Sequence, residues 1–547
     1  MRTAVFTLLF ALAAAVAPAA AQSNGPGPDV VLIVADDLGF GDVGYNGSDI
    51  QTPNLDRLAA EGLRLDRFYV SPLCSPSRAG LLTGRYGVRM GINEPVSHSD
   101  TLGIPPAEVT LAEYLGDAGY ETAMVGKWHL GDDCPYHPLQ QGFDSFVGLL
   151  SGGADYFTRR TIVGPDWWRD AAPVDTGGYT TDLIAEEAVE ILSRPRAGPL
   201  FLYLPFTAPH TPLQALEGDL ARYVGVEEPH RTFAAMTTGL DRAIGRVMDA
   251  VRASGRPTLV WVLSDNGAVE AFGGSNGGLA GGKGQAFEGG IRVPSVVWYP
   301  GWGPRTVAHP VWYLDVLPTV LGLLADPPAP ALPLDGADLG PTFAGASPDP
   351  SLFSRTLFSY RRTGTDGYWL AAQTATWKYV EHLLPDRAVI DLFRIDLDPY
   401  EQADSSRAYR DRVAEMRTQA IAFTELTLPG ATHDETLTID RPPDLAQCSG
   451  ILTTPPGPPP DGLSLRVGPN PLRDDSAVRI ETDRFREIRV DLVDLLGRRV
   501  RTLFQGTVEA GGRRAVPVRP GGLPSGVYVV RVTAAGASAT ARVVVAR

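Results

Sequence analysis

Four apolar runs in the first half of the chain stop abruptly on polar residues. Residues 30–35 run into Asp36-Asp37, and residues 122–125 into Gly126-Lys127-Trp128-His129. Residues 200–204 lead through Phe206 and Pro209 to His210, and residues 259–263 into Ser264-Asp265-Asn266-Gly267. None of the four alternates apolar with polar positions, which is the pattern of strands covered on both faces. Segments of helical texture, 110–118, 182–192 and 233–253, lie between them. The pattern predicts an α/β domain with a large mixed sheet flanked by helices. Sites in open α/β sheets form beyond the carboxyl ends of the strands. Each run alone reads as a plain core strand; together the four bring Asp, Lys, His and Asn to one place.

The texture changes near residue 356. Shorter alternating segments, 356–360, 368–372, 377–381 and 392–396, precede a helix-like stretch at 406–426. They predict a small antiparallel sheet with one helix, so the α/β domain over 28–355 is followed by a small subdomain over 356–445. Residues 446–462 contain the run Thr453-Thr454-Pro455-Pro456-Gly457-Pro458-Pro459-Pro460, an extended and semi-rigid linker. About seven short β-rich runs follow, among them 488–493, 499–503 and 527–533, separated by Gly, Pro and Asn-Pro turns. That spacing predicts a β-sandwich over 463–547.

At its start the chain has Met1-Arg2, an apolar run over 5–16 and Ala19-Ala20-Ala21-Gln22. A charged start, a short apolar stretch and a small-x-small site predict a signal peptide over 1–21. No later run is long and apolar enough to span a bilayer. With 547 residues the chain exceeds one simple core. Three cysteines in an exported protein of this size leave the fold to its core, and nothing local favours pairing Cys134 with the distant Cys448. The net charge of −15 argues against nucleic acid, and any anion site must be basic locally against the global field. Only three lysines occur, Lys127, Lys283 and Lys378, every other strong base being arginine. A retained lysine in such a chain suggests a position where a guanidinium does not serve. Two of the three fall beside the polar strand ends. Lys378, away from them, is expected to tolerate arginine.

Cys74 stands in Leu73-Cys74-Ser75-Pro76-Ser77-Arg78-Ala79-Gly80-Leu81-Leu82-Thr83-Gly84-Arg85. Pro76 suits a first helical turn, which would put Cys74 where free N–H groups and the helix dipole favour an anion. The run resembles the maturation signature of the sulfatases, in which an external generating enzyme oxidises this cysteine to formylglycine and the hydrated aldehyde attacks sulfate esters. Gly119–Leu130 resembles the family's second signature, with Lys127 and His129 inside it. Asp36-Asp37, Pro209-His210-Thr211-Pro212, Asp265-Asn266-Gly267, Gly282-Lys283-Gly284 and Glu288-Gly289-Gly290-Ile291-Arg292-Val293-Pro294 are similar to the remaining blocks, in order. The resemblance covers about residues 28 to 425.

It implies an alkaline-phosphatase-like fold and assigns roles. Asp36, Asp37, Asp265 and Asn266, with the hydrated aldehyde at Cys74, would hold a divalent cation; an all-oxygen set suits Ca²⁺ best and Mg²⁺ less well. Arg78 and Lys127 would hold the hydrated aldehyde and the charge on the metal side. His210 and Lys283 would bind sulfate and protonate the departing oxygen, and His129 would take the proton that releases sulfate. Exported, the enzyme would meet sulfated polysaccharides, so a carbohydrate sulfate is the expected natural substrate and an aryl sulfate the assayable one. Tyr156, Trp167 and Trp168 are candidates for stacking on a ring, against an ordinary packing role. His98, His137, His230, His309, His382 and His433 read as structural. A phosphonate or phosphate ester hydrolase with the same metal cradle is the competing enzyme, and a non-catalytic surface protein binding sulfated glycans is the competing reading from another class. Residues 463–547, with fifteen Arg against eight Asp plus Glu, resemble a type IX secretion sorting domain through Asn470-Pro471, Asp494-Leu495-Leu496-Gly497-Arg498 and Gly522–Tyr528. That resemblance implies the type IX machinery as partner and a destination at the cell surface or outside, reached through the periplasm.

Overall fold

The structure is a computed structural model that describes residues 27–97, 102–363, 367–384 and 386–427, followed by strand segments between 463 and 545. The expected signal peptide, the proline-rich linker, His98, His433, Cys448, Asn470-Pro471 and the 494–498 turn lie outside the described residues. Among the described residues no helix is long and apolar enough to cross a membrane.

The four apolar runs become β1 (Asp29–Ala35), β2 (Glu121–Lys127), β3 (Leu200–Pro205) and β4 (Thr258–Ser264). They are consecutive neighbours in a ten-stranded sheet, in the order β4-β1-β3-β2, and all pairings among them are parallel. Their carboxyl ends therefore open on one edge. Ser145–Leu149 extends the sheet in parallel beyond β2, and Ser295–Trp298 extends it antiparallel beyond β4, which makes the sheet mixed.

Burial on both faces explains the unbroken apolar runs. Along β1, Val30, Leu32 and Val34 enter one core, shared with Ala79, Leu81 and Leu82 of helix α1 (Cys74–Thr83). Val31, Ile33 and Ala35 enter the other core, against Ile184, Ala185 and Ala188 of α2 (Thr180–Ser193) and Met236, Leu240 and Ala243 of α3 (His230–Ser254). A polar residue at any of these positions would need a partner on a dry face, so neither parity can be hydrophilic.

Beyond the main domain, Leu357–Thr363, Gly367–Gln373, Lys378–Leu383 and Ala388–Phe393 form a four-stranded antiparallel meander, with α4 (Arg410–Thr427) packed on it through Met416 and Ala420. The last strand begins four residues earlier than the sequence pattern places it. Its register is fixed by Lys378↔Phe393 and Leu383↔Ala388, and Ile395 packs in the core from the turn that follows. The helix also starts later, at Arg410.

Lys378 corrects a sequence expectation. It is fully buried, with Nζ 3.0 Å from Glu288 Oε1 and 2.9 Å from Glu401 Oε1. Glu288 also accepts from Tyr69 Oη at 3.0 Å, and its own N–H donates to Glu401 Oε2 at 2.6 Å. This ion cluster ties the small sheet to the main domain through a compact, fully buried ammonium, a position unlike the tolerant one the sequence suggested.

The C-terminal segments form a three-stranded sheet (Leu463–Gly468, Ala477–Thr482, Arg513–Pro517) and a four-stranded sheet (Arg499–Val508, Arg486–Val493, Gly526–Ala534, Ala537–Val545). Val478, Ile480 and Val516 of the first share one core with Val490, Val530 and Val543 of the second, which makes a sandwich.

Candidate active site

Helix α1 begins on Cys74 itself, after Leu73 in extended conformation, and its first backbone hydrogen bond runs from Ser77 N–H to Leu73 C=O at 3.2 Å. Pro76 sits in the first turn, where its missing N–H leaves no partner unpaired. Cys74 is buried and free, with Sγ 3.3 Å from His129 Nδ1. The next residue locks this end: Ser75 Oγ donates to the His129 carbonyl at 2.8 Å and accepts from Val96 N–H at 3.0 Å.

The strand ends deliver the rest. Lys127, last residue of β2, donates from Nζ to Asp36 Oδ2 at 2.6 Å, and both are fully buried. Arg78 donates through Nε and Nη2 to Asp265 Oδ2 at 2.9 and 2.7 Å, and through Nη1 to the Lys127 carbonyl at 3.0 Å. Lys283 Nζ lies 2.6 Å from Asp37 Oδ1. Asn266 Nδ2 also donates to Asp37 Oδ1, at 2.7 Å. His210 Nδ1 faces the Thr211 carbonyl at 2.6 Å; a carbonyl only accepts, so Nδ1 carries the proton there and Nε2 turns toward Asp37 Oδ2 at 3.8 Å. All ten residues singled out in the sequence thus converge on the open edge of the sheet.

Two of them adopt a backbone conformation rare for non-glycine residues: Asp37 at φ 65° and His129 at φ 59°. Each follows a strand end, and the left-handed turn redirects the chain at a cost of roughly 1–3 kcal/mol per residue. The neighbouring Gly152 is required by contact, since a Cβ there would lie 2.5 Å from His129 Nε2.

Three carboxylates, Asp36, Asp37 and Asp265, face three cations, Arg78, Lys127 and Lys283. Burial alone would raise the Asp36 carboxyl, but Lys127, His210, Arg78 and Lys283 together hold it well below the usual range. Burial, aided by the charge on Asp36, raises Asp265. Burial opposes the charge on Lys283, yet Asp37 beside it raises the ammonium overall. Burial, with Lys127 and Arg78 adding to it, pushes His129 far down, so its imidazole is neutral. Burial raises the Cys74 thiol, against the pull of Lys127 and Lys283.

The donor set fits a divalent cation. Lys127 occupies Asp36 Oδ2, Arg78 occupies Asp265 Oδ2, and Lys283 and Asn266 Nδ2 occupy Asp37 Oδ1. Asp36 Oδ1 and Asp37 Oδ2 remain clear of these donors, and Asp265 Oδ1 takes only the Asp37 N–H, at 3.2 Å. Asp36 Oδ1 and Asn266 Oδ1 are buried with no hydrogen-bond partner, and a buried unpaired oxygen calls for a counterpart. Asp36, Asp37 and His210 also present ligand atoms within 4.8 Å of one another. Hard oxygen donors suit Ca²⁺ or Mg²⁺. Such an ion would leave the cluster, in which three carboxylates otherwise face three cations, with a net positive charge.

The ring-stacking candidates are packing residues. Tyr156, Trp167 and Trp168 are buried. Tyr156 Oη is shared between the carbonyls of Thr207, at 2.6 Å, and His210, at 2.9 Å, so it props the His210 loop from behind. Trp168 Nε1 donates to Asp166, which also receives the N–H groups of Leu150 and Ser151. Sequence reading missed the support given by Tyr156 and Ser75; for Ser75 the adjacent Cys74 was the available signal, and for Tyr156 none was. Cys134 is disulfide-bonded. His137 and His309 are buried away from the cluster.

The four parallel strands at the centre of the mixed sheet surround a helix-terminal residue with acids, lysines and histidines, an arrangement suited to chemistry on an anionic ester. The family model described as Sulfatase matches residues 28–326, and one described as a secretion system C-terminal sorting domain matches residues 466–546. The chain belongs to the sulfatase family, the sulfuric ester hydrolases, and carries a sorting domain at its end. It is similar to arylsulfatase J of Mus musculus, 32% identical over 473 residues that cover 75% of this chain and 78% of that protein. It is also similar to N-acetylgalactosamine-6-sulfatase of Homo sapiens, 36% identical over 365 residues, covering 61% and 68%. Among solved structures, Ps i-CgsB in complex with k-i-k-neocarrahexaose superposes with a TM-score of 0.68 at 30% identity, covering 75% of this chain and 96% of that one.

Proposed function

We propose that the protein is an exported sulfatase whose nucleophile is a formylglycine made from Cys74, acting with a bound divalent cation, Ca²⁺ in preference to Mg²⁺, on carbohydrate sulfate esters. The observation that carries the reading is the position of Cys74, buried on the first turn of α1, 3.3 Å from His129 Nδ1 and within the fields of Lys127, Lys283, Asp265 and Asp36. Asp36, Asp37, Asp265 and Asn266, with the modified Cys74, would hold the cation, which supplies Lewis-acid stabilisation of sulfate oxygens and helps generate a nucleophilic hydroxyl.

The chain's own residues do the rest. Lys283 and His210, the two cationic candidates that retain some exposure, face the position of the sulfate. They stabilise its oxygens and supply the proton to the leaving oxygen. His129, held neutral by burial, has its Nδ1 placed to accept a proton from an oxygen carried at the Cys74 Cβ. Arg78 and Lys127 are fully buried on Asp265 and Asp36. They fix those carboxylates rather than reaching a substrate, so they are positioning residues. Substrate class follows from the relatives' names, which include a sulfated amino-sugar hydrolase and a carrageenan-oligosaccharide complex. The sorting domain directs the protein through the type IX system to the surface or medium.

The test compares turnover of an aryl sulfate with that of the matching aryl phosphate, in wild type and in Cys74→Ala. Hydrolysis of the sulfate that vanishes in Cys74→Ala supports the reading. Preference for the phosphate would make the protein a phosphoryl-ester hydrolase, and near-normal sulfate turnover in Cys74→Ala would end the formylglycine account.

A further inference from the structure

The small sheet reaches the edge of the site through one side chain. Arg361, on strand Leu357–Thr363, donates from Nη1 to the carbonyl of Gly284 at 2.9 Å. Gly284 follows Lys283 directly, and its N–H donates to the Pro72 carbonyl at 2.8 Å, two residues before Cys74. On its other side, Arg361 Nε lies 3.4 Å from Glu94 Oε1. Glu94 is two residues from Val96, whose N–H is bound to Ser75. Arg361 therefore bridges the two loops that flank Cys74.

Its bonding is incomplete. A guanidinium offers five N–H donors in one plane. Here Nη1 has a carbonyl, Nε faces a carboxylate at a distance long for a charged pair, and Nη2 has no partner among the described residues. Arg361 remains 29% exposed and Glu94 39%. Lys283, in contrast, is held on Asp37 at 2.6 Å. A planar, half-buried cation bonded to the residue after Lys283, loosely engaged by a half-buried acid, can take an oxyanion in bidentate fashion.

We infer that Arg361 binds a second anionic substituent of the substrate, a sulfate or carboxylate on the sugar that bears the scissile sulfate or on the next one. The preferred substrate class is then a polyanionic saccharide. This rests on the sulfatase reading of the Cys74 site. The global charge of −15 repels a polyanion, so a preference for extra negative charge has to come from a local group of this kind.

The experiment measures inhibition of aryl sulfate turnover by three disaccharides of one backbone: monosulfated, disulfated, and monosulfated with a uronic carboxylate. Comparing ratios of inhibition constants within each protein removes any general effect of a variant on the Lys283 loop. Wild type should bind the disulfated sugar at least about ten-fold more tightly than the monosulfated one. Arg361→Met should bring that ratio to within about two-fold of unity, Arg361→Lys should keep part of it, and Glu94→Gln should increase it by freeing the guanidinium. The uronate arm tells which anion is read: a ratio matching the disulfated sugar assigns any oxyanion, and a ratio near unity assigns sulfate. An undiminished preference in Arg361→Met, or no preference in wild type, overturns the inference. A wild-type protein inert toward the aryl sulfate would instead defeat the underlying sulfatase reading.

Discussion

Replacing Lys378 by Met removes the one ammonium that lies between Glu288 and Glu401 in a fully buried site. Taking one partner from a buried ion pair typically costs about 3–5 kcal/mol, because a charge is left without its counterpart. Glu288 keeps the Tyr69 hydroxyl at 3.0 Å and Arg292 at 3.6 Å, and Glu401 keeps the Glu288 N–H at 2.6 Å, so the lower end, about 3 kcal/mol, is expected. One ammonium does not neutralise two buried carboxylates. Burial, against the pull of Lys378 and with the charge of Glu288 adding to it, pushes Glu401 up to about 7 from 4.5. A raised folded-state value means that this group's share of stability is present below about pH 4.5 and is lost as pH rises through about 7. Without Lys378 the carboxyl rises further and takes a proton more readily, so the variant suffers most at pH 8 and less at pH 5. In guanidinium unfolding followed by tryptophan fluorescence, 3 kcal/mol over a slope of about 5 kcal/mol/M moves the midpoint down by roughly 0.6 M at pH 8. Glu401→Gln should flatten the stability profile between pH 4.5 and 7. A Lys378→Met midpoint within about 0.1 M of wild type at pH 8 would refute the reasoning.

Lys283→Arg keeps the charge but puts a larger planar guanidinium where a compact ammonium sits on Asp37 Oδ1, and should lower aryl sulfate turnover by about 1.5–3 kcal/mol of transition-state stabilisation; steady-state kinetics within two-fold of wild type would remove Lys283 from the sulfate site. Exhaustive chelation should abolish activity, and added Ca²⁺ should restore it more fully than Mg²⁺, whereas a full rate in metal-free protein would show that the unpaired oxygens of Asp36 and Asn266 have another purpose. Ending the chain near Pro455 should leave kinetics on a small aryl sulfate unchanged and trap the protein in the periplasm of its host; normal export with loss of polysaccharide turnover alone would make the tail a carbohydrate-binding module.

The sheet and its site were legible because both faces of β1, β2, β3 and β4 are dry, and unbroken apolar runs record that directly. The residues that follow those runs were readable for the same reason: a strand that ends on Asp36-Asp37 or Asp265-Asn266 leaves its polar end at the open edge. Lys378 was misjudged because its partners, Glu288 and Glu401, are distant in sequence, and scarcity of lysine marked it without showing that it was buried. The small sheet was placed correctly except in its last strand, where exposed Ala388 and Val389 give no alternation and only pairing with Lys378–Leu383 sets the register. Arg361 carries no local signal at all. Its significance arises from the approach of a separate sheet to Gly284, a contact that no spacing in the sequence encodes.

The formylglycine at Cys74 is the central claim, and mass spectrometry of the Cys74-containing peptide from active protein purified from its natural host tests it most directly. The account predicts that the thiol is replaced by an aldehyde in the active fraction, and that an aldehyde-specific reagent labels this peptide and blocks turnover. An unmodified thiol throughout a fully active preparation would contradict it.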